Sequence, residues 1–167
     1  MGQTSYKYQT RKGVAGGLLD ISPYRIDSRI NAEAEEGKLK FGMGAIQGPT
    51  PGTNIKVPVT GTTADKFEGV VMAGYTDEID MGGNVKIKTL QTVGVLRYGS
   101  AWVRIASGVT PAYGEQLYLI ITGANAGLFT NDDTGALLVN GRFGREVGTG
   151  NVASVDIYNQ NPLIETE

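Results

Sequence analysis

The sequence predicts an all-β protein: an antiparallel β sandwich or barrel, jelly-roll-like, with an extended N-terminal arm. Three observations predict it. Between Val93 and Tyr158 the short apolar runs VGVLRY, AWVRIA, QLYLIIT and VASVDIY alternate with glycine-bearing turns, with no sustained helical period among them. The chain holds 25 glycines in 167 residues, about twice the usual share of roughly 7%, without a triplet period, which marks turns and bulges. Residues 13–31 show no clear period of 2 or 3.6, whereas alternation begins near Gly37. The organisation that follows is an arm over residues 1–36, a body over 37–160 and a loose, acidic tail over 161–167. At this length folding buries roughly 70% of the surface an unfolded chain exposes, enough for one self-standing core.

The opening MGQTSYKYQTRK is polar, carries Lys7, Arg11 and Lys12 and has no acid, and reads as extended chain. Gly13 to Asn31 reads as irregular chain laid over a surface. Ala32 to Glu36 reads as one helical turn stopped by Gly37. Leu39, Phe41, Met43 and Ala45 alternate with Lys38, Lys40, Gly42 and Gly44, predicting a strand with one core face. Ile55, Val57 and Val59 alternate in the same way, and Pro58, which lacks a ladder donor, assigns that strand to an edge. FEGVVMA, residues 67–73, is apolar on both faces and predicts a central strand. Val85 to Leu90 alternates again.

Gly99-Ser100 reads as the two-residue loop of a hairpin, with glycine first as a type II′ turn requires. That pairing sets Tyr98, Leu96 and Gly94 opposite Ala101, Val103 and Ile105 on the core face. The other face places the single tryptophan, Trp102, beside Arg97 and Arg104. A guanidinium over an exposed indole contributes about 0.5–1 kcal/mol, and both residue types are enriched at interface hot spots, so the cluster is a candidate contact patch. Downstream, QLYLIIT is a strand, LFT and ALLVNGRF flank the turn NDDTG, and VASVDIY turns Ala153, Val155 and Ile157 one way.

Composition narrows the chemistry. A net charge of −2 gives the whole molecule no pull toward nucleic acid or an anionic membrane. The chain has no cysteine and no histidine, which removes disulfides, thiolate nucleophiles, the commonest general base and the commonest transition-metal ligand. No apolar segment approaches the ~20 residues needed to cross a bilayer, and the N-terminus lacks the order of a signal peptide, so the protein is expected to be soluble and made where it is used. Asp132 and Asp133 invite a calcium reading, but the twelfth position of such a loop is Phe143 and a plain turn is favoured. GVAGG and GMG lack the lysine and helix of a phosphate loop. Asp77, Glu78 and Asp80 are loop neighbours, whereas glycoside cleavage needs two carboxyls about 5–9.5 Å apart across a cleft. No catalytic, cofactor or metal residue is therefore expected. Tyr6 and Tyr8 stand on an arm with no core of its own, where aromatics gain little unless they dock on another chain. The expected partner contacts are Tyr6, Lys7, Tyr8, Arg11 and Lys12, with Arg97, Trp102 and Arg104 on the body.

The order of pieces KLKFGMGAIQG, FEGVV, VGVLRYGSAWVRI, AYGEQLYL and NGRFGREVGTGNVASVDIY, over roughly residues 13–158, resembles the capsid cement (decoration) proteins of tailed bacteriophages. The resemblance implies a small β-rich structural protein without enzymatic activity or cofactors. It implies binding to the outer surface of the assembled phage head, where the protein ties neighbouring major capsid protein subunits together, usually as a homodimer or homotrimer. It also implies a virion location after synthesis in the bacterial host cytoplasm, and the charge balance adds the expectation that neither nucleic acid nor membrane is a partner. Two other readings compete. One is another virion part: a head-tail connector, tail tube or fibre component. The other is a dUTPase-like β-barrel nucleotidohydrolase, which GVVMAGYTDEIDMGGNVKI resembles, although Met72 and Ala73 stand where that family's aspartate is wanted.

Overall fold

A computed structural model of the chain describes residues 13–74, 85–148 and 150–158, apart from the side chain of Glu146. Nine strands follow one another among the described residues: β1 (Arg25–Asn31), β2 (Gly44–Gln47), β3 (Asn54–Lys56), β4 (Phe67–Val71), β5 (Thr92–Arg104), β6 (Gln116–Ile120), β7 (Phe129–Thr130), β8 (Ala136–Val147) and β9 (Val152–Ile157). Their only helical elements are two 3₁₀ turns, Ala64–Lys66 and Gly123–Asn125. Residues 32–33 are irregular and 34–36 a bend and turn, without the expected helical turn.

The strand order is β1-β3-β2-β4-β5-β9-β8-β6-β7, and β1 also pairs with β5. The first five strands therefore close into a barrel, which abolishes their free edges. The remaining strands form a second sheet that curls back on β5, where Ile105 bridges Phe129. The named strand pairs are antiparallel except β1 with β3. Of the sandwich or barrel expected, the molecule has a closed barrel with extra strands.

Two cores result. Leu39, Ile55, Val57, Val71, Ile87, Val93 and Val95 fill the closed barrel. Phe67, Val70, Leu96, Leu117, Leu119, Phe129, Phe143 and Val155 belong to the second core, where the rings of Phe67 and Phe129 meet edge to face at 6.5 Å. Each such buried side chain contributes roughly 1.5–3 kcal/mol relative to exposure. β4 serves both cores, as its two apolar faces predict: Val71 packs into the barrel, and Val70 and Met72 into the second core.

The expected hairpin at Gly99-Ser100 is not there. β5 runs straight through it, pairing with β1 and β4 before Gly99 and with β9 from Gly99 onward. Gly99 has φ +128°, and a Cβ built on it would stand 2.8 Å from Tyr24 Cβ. An extra residue on β5 between Leu96 and Tyr98, opposite Arg25 and Ile26, shifts the register, and the second core is faced by Leu96 before it and by Ala101, Val103 and Ile105 after it.

Other expectations are corrected by pairing that no local pattern encodes. Arg25–Asn31, expected as irregular chain within an arm of residues 1–36, is the strand that closes the barrel. Upstream of it, Gly16 N–H donates to the Trp102 carbonyl (2.8 Å) and Trp102 N–H to that of Gly17 (2.9 Å), so residues 13–19 are also stitched to the body. The strand expected over residues 38–45 is reduced to β2, because a turn closed by Met43 N–H to the Lys40 carbonyl takes the preceding residues. β3 ends at Lys56, before Pro58, and is flanked by β1 and β2 instead of lying at an edge. No strand of more than one residue forms over 85–90, although Ile87 is buried. β6, β8 and β9 stand where the sequence places them, with β6 lying between β7 and β8.

Candidate functional site

Of the three body residues expected to share a contact patch, Arg97 is drawn into a charged network, while Trp102 and Arg104 stay two residues apart on β5. Trp102 is 3% exposed, packed with Ala15, Val152 and Leu19. The backbone of Gly13 approaches so closely that a Cβ there would collide with the indole. The exposed tryptophan flanked by arginines is therefore corrected to a covered one: the early chain lies over this face of β5 and excludes water from the ring. Arg104 donates from Nε to the Phe41 carbonyl at 2.7 Å. Tyr6, Lys7, Tyr8, Arg11 and Lys12 lie outside the described residues, as do Asp77, Glu78 and Asp80.

Arg97 belongs to a charged network that braces β1, β4 and β5. Its Nη1 lies 2.9 Å from Glu68 Oε2 and 3.8 Å from Asp27 Oδ2. Arg29 bridges the same two acids, with Nη2 3.3 Å from Asp27 Oδ2 and Nε 3.4 Å from Glu68 Oε2. Arg25 adds a third cation, 3.0 Å from Asp27. Asp27 and Arg29 pair in register with Val95 and Val93, whose side chains line the barrel. Glu68 is 4% exposed, and a carboxylate so placed is tolerable only because two guanidiniums meet it. The hydrogen bond from Arg25 is the main cause that holds the Asp27 carboxyl below its ordinary pKa, with the charges of Arg25, Arg29 and Arg97 adding to it against the opposing effect of burial.

A different surface offers aromatic and cationic groups to solvent. Ser100, Asp156 and Arg142 are cross-strand neighbours on β5, β9 and β8. Ser100 Oγ donates to Asp156 Oδ1 at 2.6 Å, and Arg142 Nε donates to Oδ2 at 3.2 Å. The guanidinium carbon of Arg142 sits 5.3 Å from the ring centroid of Tyr113, which is 64% exposed. The Asp156 hydrogen bond is the first cause that keeps the Arg142 pKa above its usual range, ahead of Tyr158 and Tyr113. Leu138 and Tyr158 are exposed nearby along β8 and at the end of β9, where the Tyr158 N–H donates to the Asn140 carbonyl. Tyr24 and Tyr98, also exposed, flank the bend at Gly99. Sequence reasoning missed Arg142; its signal was the period of 2 along β8, where Leu138 and Asn140 point to solvent and Leu137, Val139 and Phe143 are buried.

Asp132 and Asp133 form the plain turn expected: Asp132 Oδ1 accepts from the Thr134 N–H at 2.9 Å. Among the described residues no group of three or more Asp and Glu is placed to hold a metal ion. The sequence model of the structural cement protein family (E217 gp24/Pam3 gp6) matches residues 2–158. The chain belongs to the phage structural cement protein family. In fold, this cement protein is similar to a chain of the solved structure "The capsid of Myoviridae Phage XM1", with a TM-score of 0.69 and 21% identity over 95% of this chain and 98% of that one. No curated protein matches it. The resemblance drawn from the order of motifs holds over nearly the whole chain, and with it the role of a capsid cement or decoration protein. The family is one of structural phage proteins.

Proposed function

We propose that this cement protein binds the outer surface of the assembled head and bridges neighbouring major capsid protein subunits, acting as a homodimer or homotrimer after synthesis in the bacterial host cytoplasm. The family match over residues 2–158 carries the reading. Two regions are suited to the contact. One is the surface of Tyr113, Arg142, Tyr158 and Leu138, whose tyrosines and arginine are of the types that anchor interfaces. The other is the segment with Tyr6, Lys7, Tyr8, Arg11 and Lys12, basic and aromatic at once, with Arg97 and Arg104 as further body contacts.

A clamp across a subunit boundary adds its binding free energy to the cost of separating the two sides. Repetition over a lattice raises the effective concentration of each contact, so modest single contacts suffice. Particles assembled without this protein should show bare subunit boundaries in low-resolution images and lose their contents at lower temperature than complete particles. Deleting Met1 to Lys12 should leave the body folded and abolish attachment. Particles of unchanged stability and appearance would overturn the cement assignment, and attachment at full occupancy without Met1 to Lys12 would overturn the role of that segment.

A further inference from the structure

Among the described residues the backbone takes a positive φ at fifteen positions, and thirteen of them are glycine. Asn151, with φ +57°, is of a type that tolerates it. Leu90, with φ +62°, is the exception. A leucine held there crowds its Cβ against the following carbonyl oxygen, a penalty that glycine escapes. Burial does not offset it, because Leu90 is 72% exposed.

The turn is set by groups other than this side chain. β1 ends on Asn31, which is fully buried and organises residues 88–91. Its Nδ2 donates to the Lys88 carbonyl at 3.0 Å, its N–H donates to the Gln91 carbonyl at 2.9 Å, and its carbonyl accepts the Leu90 N–H at 2.9 Å. Gln91 Oε1 accepts the Lys88 N–H at 2.8 Å, and Thr89 Oγ1 donates to the Ala34 carbonyl at 3.3 Å. None of these bonds uses the Leu90 side chain. Asparagine or glycine at position 90 would keep the turn with less strain.

We propose that Leu90 is an interface anchor that seats in an uncharged, apolar pocket on the major capsid protein. The inference rests on the capsid reading, which supplies a protein partner. Strain that nothing in the free molecule relieves is retained for the contact, where the exposed leucine is taken out of water. Charge sets the character of the pocket. Residues 34–37 lie beside 87–89, joined by the Thr89 bond and by the Gly37 N–H to the Ile87 carbonyl at 3.1 Å. Glu35 and Glu36 therefore stand near Lys86 and Lys88, all four of them at the surface. Two acids and two cations leave no net charge to draw a polyanion or an anionic membrane. Recognition at this turn is by apolar fit.

Leu90→Gly and Leu90→Asn separate the side chain's effect on folding from its effect on attachment. Both variants should melt at or above the wild-type midpoint, by up to about 3 °C. Both should attach at least about fivefold more weakly to particles assembled without this protein, because the apolar area buried at the contact is gone. A leucine that served the fold would lower the midpoint when removed. A midpoint below wild type in either variant, or attachment less than about fivefold weaker, would overturn the proposal. Wild-type protein that fails to attach to such particles would overturn the capsid reading, and the anchor with it.

Discussion

Replacing Trp102 by alanine tests whether the early chain is part of the folded body. The indole is covered by Ala15, Leu19 and Val152 and pressed by the backbone of Gly13. An aromatic of this size buries roughly 150–250 Å², which at about 25 cal/mol per Å² sets an upper bound of about 4–6 kcal/mol. Measured losses for such truncations run at about 3–5 kcal/mol. In a chain of this length each kcal/mol moves the midpoint by about 2–4 °C, so Trp102→Ala should melt roughly 10 °C below wild type by circular dichroism. Because Trp102 is the only tryptophan, wild-type emission should be blue-shifted and shielded from iodide, and Gly13→Ala, which forces the covering segment off the ring, should expose it. A Trp102→Ala midpoint within about 2 °C of wild type, or a wild-type indole open to iodide, would refute the reasoning.

Gly99→Val should lower the urea midpoint by the equivalent of about 1–3 kcal/mol, since φ +128° disfavours a side chain and Tyr24 blocks a Cβ; an unchanged midpoint would show that the bend is not fixed there. Glu68→Ala leaves Arg29 and Arg97 without their shared buried acid and should cost about 3–5 kcal/mol in the same measurement, with no loss counting against the brace. The carboxyls of Asp20, Asp27, Asp65, Glu115 and Asp132 all lie below their ordinary values of 3.8 for Asp and 4.5 for Glu. Their stabilisation is therefore complete above those values and is lost as pH falls through the depressed ones. With no histidine in the chain, the melting temperature should stay level through neutrality and drop only in acid, and a transition near pH 6.5 would contradict this. Tyr113→Ala should leave the melting temperature close to wild type while weakening attachment to heads fivefold or more, as loss of about 1 kcal/mol at a hot spot requires; equal attachment would clear that surface of the role.

The strands whose two faces differ, or are both apolar, were legible: FEGVV, QLYLI and VASVDI sit where their patterns place them. The bend in β5 was not, for a specific reason. A two-residue hairpin loop and a one-residue slip within a single strand leave the same apolar pattern, with Leu96 before and Ala101 and Val103 after turned to one core. Only long-range partners separate the two, and β1 and β9 supply them from opposite ends of the chain. β1 itself reads RIDSRIN because its barrel-facing positions carry a charge network in place of apolar side chains, so hydrophobic period gave no sign of it. Trp102 was misplaced for a related reason: its cover comes from residues 13–19, whose glycines offered no pattern at all. The family, by contrast, was readable from the order of ordinary pieces, which survives where each piece alone is unspecific.

β5 is a structural member of both halves, contributing Val93 and Val95 to one interior and Leu96, Ala101 and Val103 to the other. Neither half can lose its side of that strand without stripping a wall from its neighbour. Heating should therefore show one cooperative melting step with matching calorimetric and van't Hoff enthalpies. A lateral tug on one half would load the shared backbone in shear, against many ladder bonds at once, so the molecule should resist stretching between subunits more stiffly than two modules joined by a linker.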